Sequence, residues 1–321
     1  PVSSAGLSIK YKVPIGHTTY RSTIHWFDSK IVVDSNGDQY KSTSDGLDGV
    51  WVLDPADGST ILKVDPPGSG EKDTNGVALT SQALIFGTDQ DRIYKVDWNG
   101  KVIWKTATKG DVEAAPALAD LDGDTVLDVL AGAEGGVFYA LDGKTGKVLH
   151  TTGSGQGYYG AKGFVGAPAL FDASGDGVAD VFCPCRDETF RAVDGKTGKA
   201  LWSHKTTSGM HGAPIIVDAT GDGVMDVVFT EAYSEVYCAD AATGAIRWNV
   251  ELSNPDGGIE GLFGPLGWYP AASCVLVGTA WWGNSEGVYC IDGKTGSVLW
   301  RYNETKKNIT SGFVVGDVDG S

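Results

Sequence analysis

"VFYALDGKTGKVLH" (residues 137–150) is one copy of a pattern that the chain writes out several times. Close relatives are "TFRAVDGKTGKALW" (189–202), "VYCADAATGAIRW" (236–248) and "VYCIDGKTGSVLW" (288–300). Shorter ones are "VWVLDPADGSTIL" (50–62) and "IYKVDWNGKVIW" (93–104). Each reads as a hairpin. An alternating strand enters Asp-Gly-Lys-Thr-Gly, whose second glycine can take the left-handed conformation of a short turn, and another strand leaves it. Asp54, Asp97, Asp142, Asp194, Asp240 and Asp292 mark these turns at steps of 43 to 52 residues. A period of that size is what a four-stranded propeller blade takes. The outgoing strand ends on Trp104, Trp202, Trp248 or Trp300, a ring able to fill the wedge between neighbouring blades.

Upstream of three hairpins stand two further strand signals separated by an acidic loop. These are "AAPALADLDGDTVLDVLAGAE" (114–134), "GAPALFDASGDGVADVFCPC" (166–185) and "GAPIIVDATGDGVMDVVFTE" (212–231). Small residues in the first strand suit the crowded positions near a propeller axis. Helical periodicity is absent, so the expectation is an all-β fold: one β-propeller domain over residues 1–321, built from four-stranded antiparallel blades.

The acidic loops carry a ligand spacing. Oxygen donors stand at positions 1, 3, 5 and 9, with a backbone carbonyl at 7. The first loop offers Asp120, Asp122, Asp124 and Asp128 with the Val126 carbonyl. The second offers Asp172, Ser174, Asp176 and Asp180 with Val178, and the third Asp218, Thr220, Asp222 and Asp226 with Val224. Hard oxygen donors in this order predict calcium, about one ion per loop, weaker where a hydroxyl replaces a carboxylate. A catalytic ion would hardly recur once per blade, so the predicted role is a structural staple. Asp34-x-Asn36-x-Asp38 reads as a degenerate fourth loop.

The hairpin resembles the tryptophan-docking repeat of pyrroloquinoline-quinone-type propellers over nearly the whole chain. The acidic loops resemble the FG-GAP/VCBS calcium loops of integrin α-subunit propellers and related secreted repeats. Both resemblances imply a propeller; propellers of this kind host enzymes, adhesion modules and assembly scaffolds alike. Asp317-Val318-Asp319-Gly320-Ser321 reads as the start of one more loop, in a truncated seventh repeat after six recognisable ones. "GLSIKYKV" (6–13) reads as a last strand awaiting its blade. Open strand edges are avoided in folded proteins, so a C-terminal continuation or another chain is expected to close a ring of about seven or eight blades. Pro1 at the start, with no signal-peptide pattern, suggests a mature or excised segment.

The 41 acidic against 25 basic residues, a formal charge of −16, exclude nucleic acid and anionic membrane surfaces as partners. No apolar run is long enough to insert in a membrane. Aromatic residues in long loops, namely Tyr158, Tyr159, Tyr233, Trp268, Tyr269, Trp281 and Trp282, are expected to gather on the face opposite the acidic loops. With Glu231, Glu260 and Glu286 nearby they would suit a glycan or a protein partner. The reading is a secreted or cell-surface recognition scaffold. The alternatives are a carbohydrate-active lyase or hydrolase on that face, or a quinone-dependent dehydrogenase. The dehydrogenase resemblance implies adjacent cysteines, and here a residue separates Cys183 from Cys185. Asn303 and Asn308 head glycosylation sequons. Cys274 falls where an aspartate would end a metal loop, and a disulfide to Cys290 on the paired strand would replace the missing ion.

Overall fold

The computed structural model describes residues 10–15, 24–36, 46–67, 73–153, 163–252, 261–280, 287–302, 309, 312, 313 and 315. Among these residues twenty-four strands form six antiparallel four-stranded sheets, and within each sheet the spatial order follows the chain. The first blade is β1 (His25–Phe27), β2 (Lys30–Asn36), β3 (Asp48–Leu53) and β4 (Thr60–Val64), and the second β5 (Thr74–Leu79), β6 (Ala83–Thr88), β7 (Arg92–Asp97) and β8 (Val102–Ala107). The third is β9 (Ala117–Ala119), β10 (Asp128–Ala133), β11 (Val137–Leu141) and β12 (Val148–Thr152), and the fourth β13 (Ala169–Phe171), β14 (Asp180–Cys183), β15 (Thr189–Val193) and β16 (Ala200–Lys205). The fifth is β17 (Ile215–Val217), β18 (Asp226–Thr230), β19 (Glu235–Asp240) and β20 (Ile246–Glu251), and the sixth β21 (Gly267–Tyr269), β22 (Cys274–Gly278), β23 (Val288–Asp292) and β24 (Val298–Tyr302). This is an all-β propeller of four-stranded blades. Among the described residues the one helical turn is 3-10, Pro270–Ala272.

Second strands such as β14 and β18 are buried at every residue, because each faces a neighbouring blade on both sides, and their centres Val181–Cys183 and Val227–Phe229 are apolar throughout. Fourth strands are outermost and mostly exposed, and in β8 and β20 the single buried residue is a tryptophan, Trp104 or Trp248. In all six blades the pairing of third and fourth strands slips by one residue just before the turn aspartate. Such a bulge re-aims the strand. The residue it skips, such as Ile103 or Leu299, points outward, and the next one turns to the neighbouring blade.

That next residue makes the same contact four times. The indole Nε1–H of Trp104 donates to the Gly143 carbonyl at 3.0 Å, that of Trp202 to Ala241 at 2.9 Å, and that of Trp248 to Gly293 at 2.7 Å. His150 Nε2 lies 2.7 Å from the Gly195 carbonyl. Each ring also covers the second glycine of the receiving turn. Gly146 has φ +73°, and a Cβ there would lie 2.7 Å from the ring of Trp104. Gly198, Gly244 and Gly296 meet His150, Trp202 and Trp248 in the same way. Tyr11 occupies this station on the first blade: its hydroxyl donates to the Pro55 carbonyl at 3.1 Å, and its ring covers Gly58. Residues 10–13 therefore stand where the fourth strand of a preceding blade would stand. At the other end, Ile309 N–H donates to the Thr279 carbonyl at 3.0 Å, as Phe164 does to Ala133 at 3.1 Å on entering the fourth blade. Trp300 is 48% exposed, with no receiving turn among the described residues.

Asp34 corrects one expectation. It lies inside β2 rather than in a first-to-second-strand loop, fully buried, and accepts the Gly76 N–H at 3.1 Å. The connection of β1 to β2 is only Asp28-Ser29, too short for a metal loop.

If ring docking joins the blades, Trp248→Ala should lower the unfolding free energy by about 3–5 kcal/mol, as for other buried large-to-small changes. Trp300→Ala should cost less than about 1 kcal/mol, as for an exposed residue. Denaturant unfolding of the two variants beside the parent measures this difference.

Candidate functional site

The three acidic loops connect β9 to β10, β13 to β14 and β17 to β18, at the same end of the propeller as the Asp-Gly-Lys-Thr-Gly turns. In each, the first aspartate organises the turn. Asp120 accepts the N–H groups of Gly123 (2.8 Å) and Thr125 (3.0 Å). Asp172 accepts those of Gly175, Asp176 and Gly177, and Asp218 those of Gly221, Asp222 and Gly223. The fifth position accepts the N–H of the valine, Asp124 from Val126, Asp176 from Val178 and Asp222 from Val224. The carboxylates of Asp120, Asp122 and Asp124 converge, with one oxygen from each within 4.8 Å of the others.

The ninth position does something the spacing did not predict. Asp128 is 1% exposed and does not join that group; one oxygen accepts Leu121 N–H at 2.9 Å and the other Gly143 N–H at 2.8 Å. Asp180 likewise holds Ala173, Ser174 and, across the blade, Gly195 at 3.1 Å. In the third and fourth blades the ninth aspartate thus clamps the acidic loop to the very turn that receives the preceding blade's ring, whereas in the fifth Asp226 holds only Thr220 of its own loop and the Ala241 N–H donates to the Met225 carbonyl. Burial pushes the Asp128 carboxyl up, against those two hydrogen bonds, and the charges of Asp122 and Asp124 add to the rise. In the sixth blade Cys274 takes this station and forms a disulfide with Cys290, with a Cα–Cα distance of 6.0 Å, while Gly293 N–H turns to the Ser273 carbonyl.

Two loops depart from the common plan. Thr125 holds φ +70° where the other loops place Gly177 and Gly223, an uncommon conformation for a β-branched residue. In the fifth blade, Arg247 reaches from the bulge of β20 to Asp240 (2.7 Å), Asp222 (3.5 Å) and Asp226 (3.6 Å). A guanidinium therefore already supplies positive charge to the third loop, whose Thr220 hydroxyl is engaged with Asp226 at 3.0 Å. Arg247 was not singled out in the sequence, although it stands where the other repeats have an aliphatic residue.

Among the described residues, the members of the expected aromatic face fall at both ends of the propeller. Tyr233, 45% exposed, lies in the connection of β18 to β19, at the end opposite the acidic loops. Trp268 and Tyr269 lie in β21 and run into the connection to β22, at the acidic-loop end, where the Trp268 ring approaches Gly293. Their place at the end of the first strand of the sixth blade, paired with Val275 and Cys274, puts them there, whereas the sequence reading put them at the opposite end. Tyr158, Tyr159, Trp281, Trp282, Asn303, Asn308, Asp317 and Asp319 lie outside the described residues.

At the opposite end, buried Glu231 accepts the N–H groups of Thr207 and Ser208 at 3.0 and 2.9 Å and straps the crossover between the fourth and fifth blades. Burial raises its pKa. Arg186, between β14 and β15, pairs with Glu134 of the third blade at 3.4 Å and reaches His211, in the crossover from the fourth to the fifth blade, at 3.2 Å. Asp111 is pushed up to about 8 by burial, then by the charge of Asp89 and by contact with Asp91. Cys183 and Cys185 are buried thiols, the latter donating to the Gly163 carbonyl at 3.4 Å, and burial raises both pKa values, Cys185 to about 12. Burial of this kind opposes the thiolate that thiol chemistry requires.

The family described as outer membrane protein assembly factor BamB matches residues 48–302, the span from β3 to β24. This chain belongs to that family. Among solved structures, the chain is similar to a europium-containing methanol dehydrogenase (TM-score 0.69, 15% identity, covering 89% of this chain and 71% of that one). It is similar to BamB from Moraxella catarrhalis (TM-score 0.63, 16% identity, 88% and 75%) and to the computationally designed Ika8 protein (TM-score 0.64, 17% identity, 92% and 77%). At these identities the likeness is one of fold. No curated protein sequence matches the chain.

Removal of the ninth-position clamp tests its structural role. Asp180→Ala leaves three N–H groups short of their acceptor. It should cost about 2–4 kcal/mol in denaturant unfolding, at roughly 1–3 kcal/mol per unsatisfied group with partial relief by water.

Proposed function

We propose that this chain is a calcium-stapled propeller that serves as a non-catalytic assembly scaffold for a protein partner outside the reducing cytosol. The observation that carries the reading is the repeated clamp. Acidic residues in successive blades are spent on the turns that receive the neighbouring ring, which is the use a rigid platform has for them. The BamB family description, that of an assembly factor, points the same way. The Cys274–Cys290 bridge supports an oxidising compartment, secreted or extracytoplasmic.

The donor chemistry of the first loop fits calcium: three convergent carboxylates, all oxygen, on a turn fixed by its own backbone. Asp120, Asp122 and Asp124 would hold the ion, which supplies charge neutralisation when bound. Asp172, Ser174 and Asp176 form the second, weaker set. In the third loop Arg247 competes for the same carboxylates, so that loop should bind weakest. A protein partner is favoured over a glycan by the assembly-factor description of the family, and among the described aromatics Tyr233 stands at the end opposite Trp268 and Tyr269.

Thermal unfolding with saturating calcium against chelator tests the staple. Calcium at about 100 times its dissociation constant should stabilise by about 2.7 kcal/mol per site. Asp122→Asn should abolish most of the gain, and Arg247→Leu should raise the affinity of the third loop. Equal melting temperatures in both buffers would contradict the calcium reading. For the scaffold, a photo-crosslinking residue at position 233 should capture one defined protein in native extract, whereas one at 147 should not. Reduction of an artificial electron acceptor after addition of quinone would instead make the chain a dehydrogenase.

A further inference from the structure

We infer that Asp89, Asp111, Glu113 and the side-chain amide oxygen of Asn75 form a calcium site at the junction of the second and third blades, at the end opposite the Asp-x-Asp loops. Asp89 lies in the connection of β6 to β7, and Asp111 and Glu113 in the crossover from β8 to β9. One carboxylate oxygen from each lies within 4.8 Å of the other two. Three half-buried carboxylates at that separation repel one another.

Asn75, at the start of β5, supplies the independent observation. It is 1% exposed, and its Nδ2 donates to Asp89 Oδ1, which fixes the amide against the carboxylate group. Its Oδ1 is buried with no hydrogen-bond partner. A buried acceptor left unpaired costs about 1–3 kcal/mol, and a cation at the carboxylates would satisfy it.

The backbone presents these groups from fixed positions. Asp89 N–H donates to Asp73 at 3.3 Å and Val112 N–H to Thr88 at 3.3 Å, while the Asp111 carbonyl accepts Glu134 N–H at 2.9 Å. The donors are all oxygen, which selects a hard cation over zinc or copper. Oxygens up to 4.8 Å apart can surround an ion at bond lengths of about 2.4 Å, the calcium range; magnesium at about 2.1 Å would need a tighter, octahedral set. The bound ion would tie the crossover to the second-blade hairpin, and the site stands whether or not the Asp-x-Asp loops bind metal.

The test removes the loop sites first. In the intact chain carrying Asp122→Asn, Asp176→Asn and Asp222→Asn, calorimetric titration of chelator-treated protein with calcium should still show one ion per chain, about tenfold or more weaker after Glu113→Gln. No binding at millimolar calcium, or binding that Glu113→Gln and Asp111→Asn both leave unchanged, overturns the site. A measurement on the unaltered chain guards against a misfolded variant. Manganese, as a paramagnetic stand-in, should broaden the Asn75 side-chain amide signals. Broadening confined to Gly123 and Thr125 in the first loop would also overturn it.

Discussion

The contact on which this propeller depends is a ring laid over a glycine. A fourth-strand side chain crosses to the next blade, covers the second glycine of its turn and donates to the carbonyl after the turn aspartate, as Trp104 does at Gly146 and Gly143. Most of what surrounds the contact can be read as preparation for it. The bulge before each turn aspartate rotates the ring inward. The turn glycine leaves room, since any side chain there would enter the ring. The ninth-position aspartate holds the receiving turn from behind, as Asp128 does through Gly143 N–H. Gly143 is thus gripped on both sides, by its N–H and by its carbonyl, and Lys95 donates to the same carbonyl at 2.6 Å.

This arrangement explains why the acidic loops suit stability better than chemistry. A clamp that reaches from one loop to another within a blade fixes blade shape, and ring docking passes that shape to the neighbour. The variations follow the same logic. The sixth blade replaces the carboxylate clamp by a disulfide, and the fifth adds an arginine to its acidic loop. Each is a different way to hold the same turn.

The blade repeat was fully legible because it is local. Turn aspartates, glycines and docking rings lie within a few residues of one another, and their period counts the blades. The ninth aspartate was legible as a residue but not as a clamp, because Asp128 and Gly143 lie on separate strands and ligand spacing says nothing about the other side of a blade. Trp268 and Tyr269 went to the wrong end because the aromatic segment from 253 gave no sign of where the short strand β21 begins. Asp89, Asp111, Glu113 and Asn75 come from three separate segments. Their only trace in the sequence is a pair of close-spaced acids, Asp89-x-Asp91 and Asp111-x-Glu113, in successive connections at the same end.

Hydrogen exchange on the intact protein, with calcium and with chelator, tests the central claim most directly by separating staple from clamp. The account predicts that chelation strips protection from the loop amides of Gly123, Thr125 and Val126, while Gly143 and Gly195, held by Asp128 and Asp180, keep theirs. Loss of protection at Gly143 and Gly195 together with the loops would mean that the clamp itself depends on metal. Unchanged protection throughout would mean that calcium is no part of this fold.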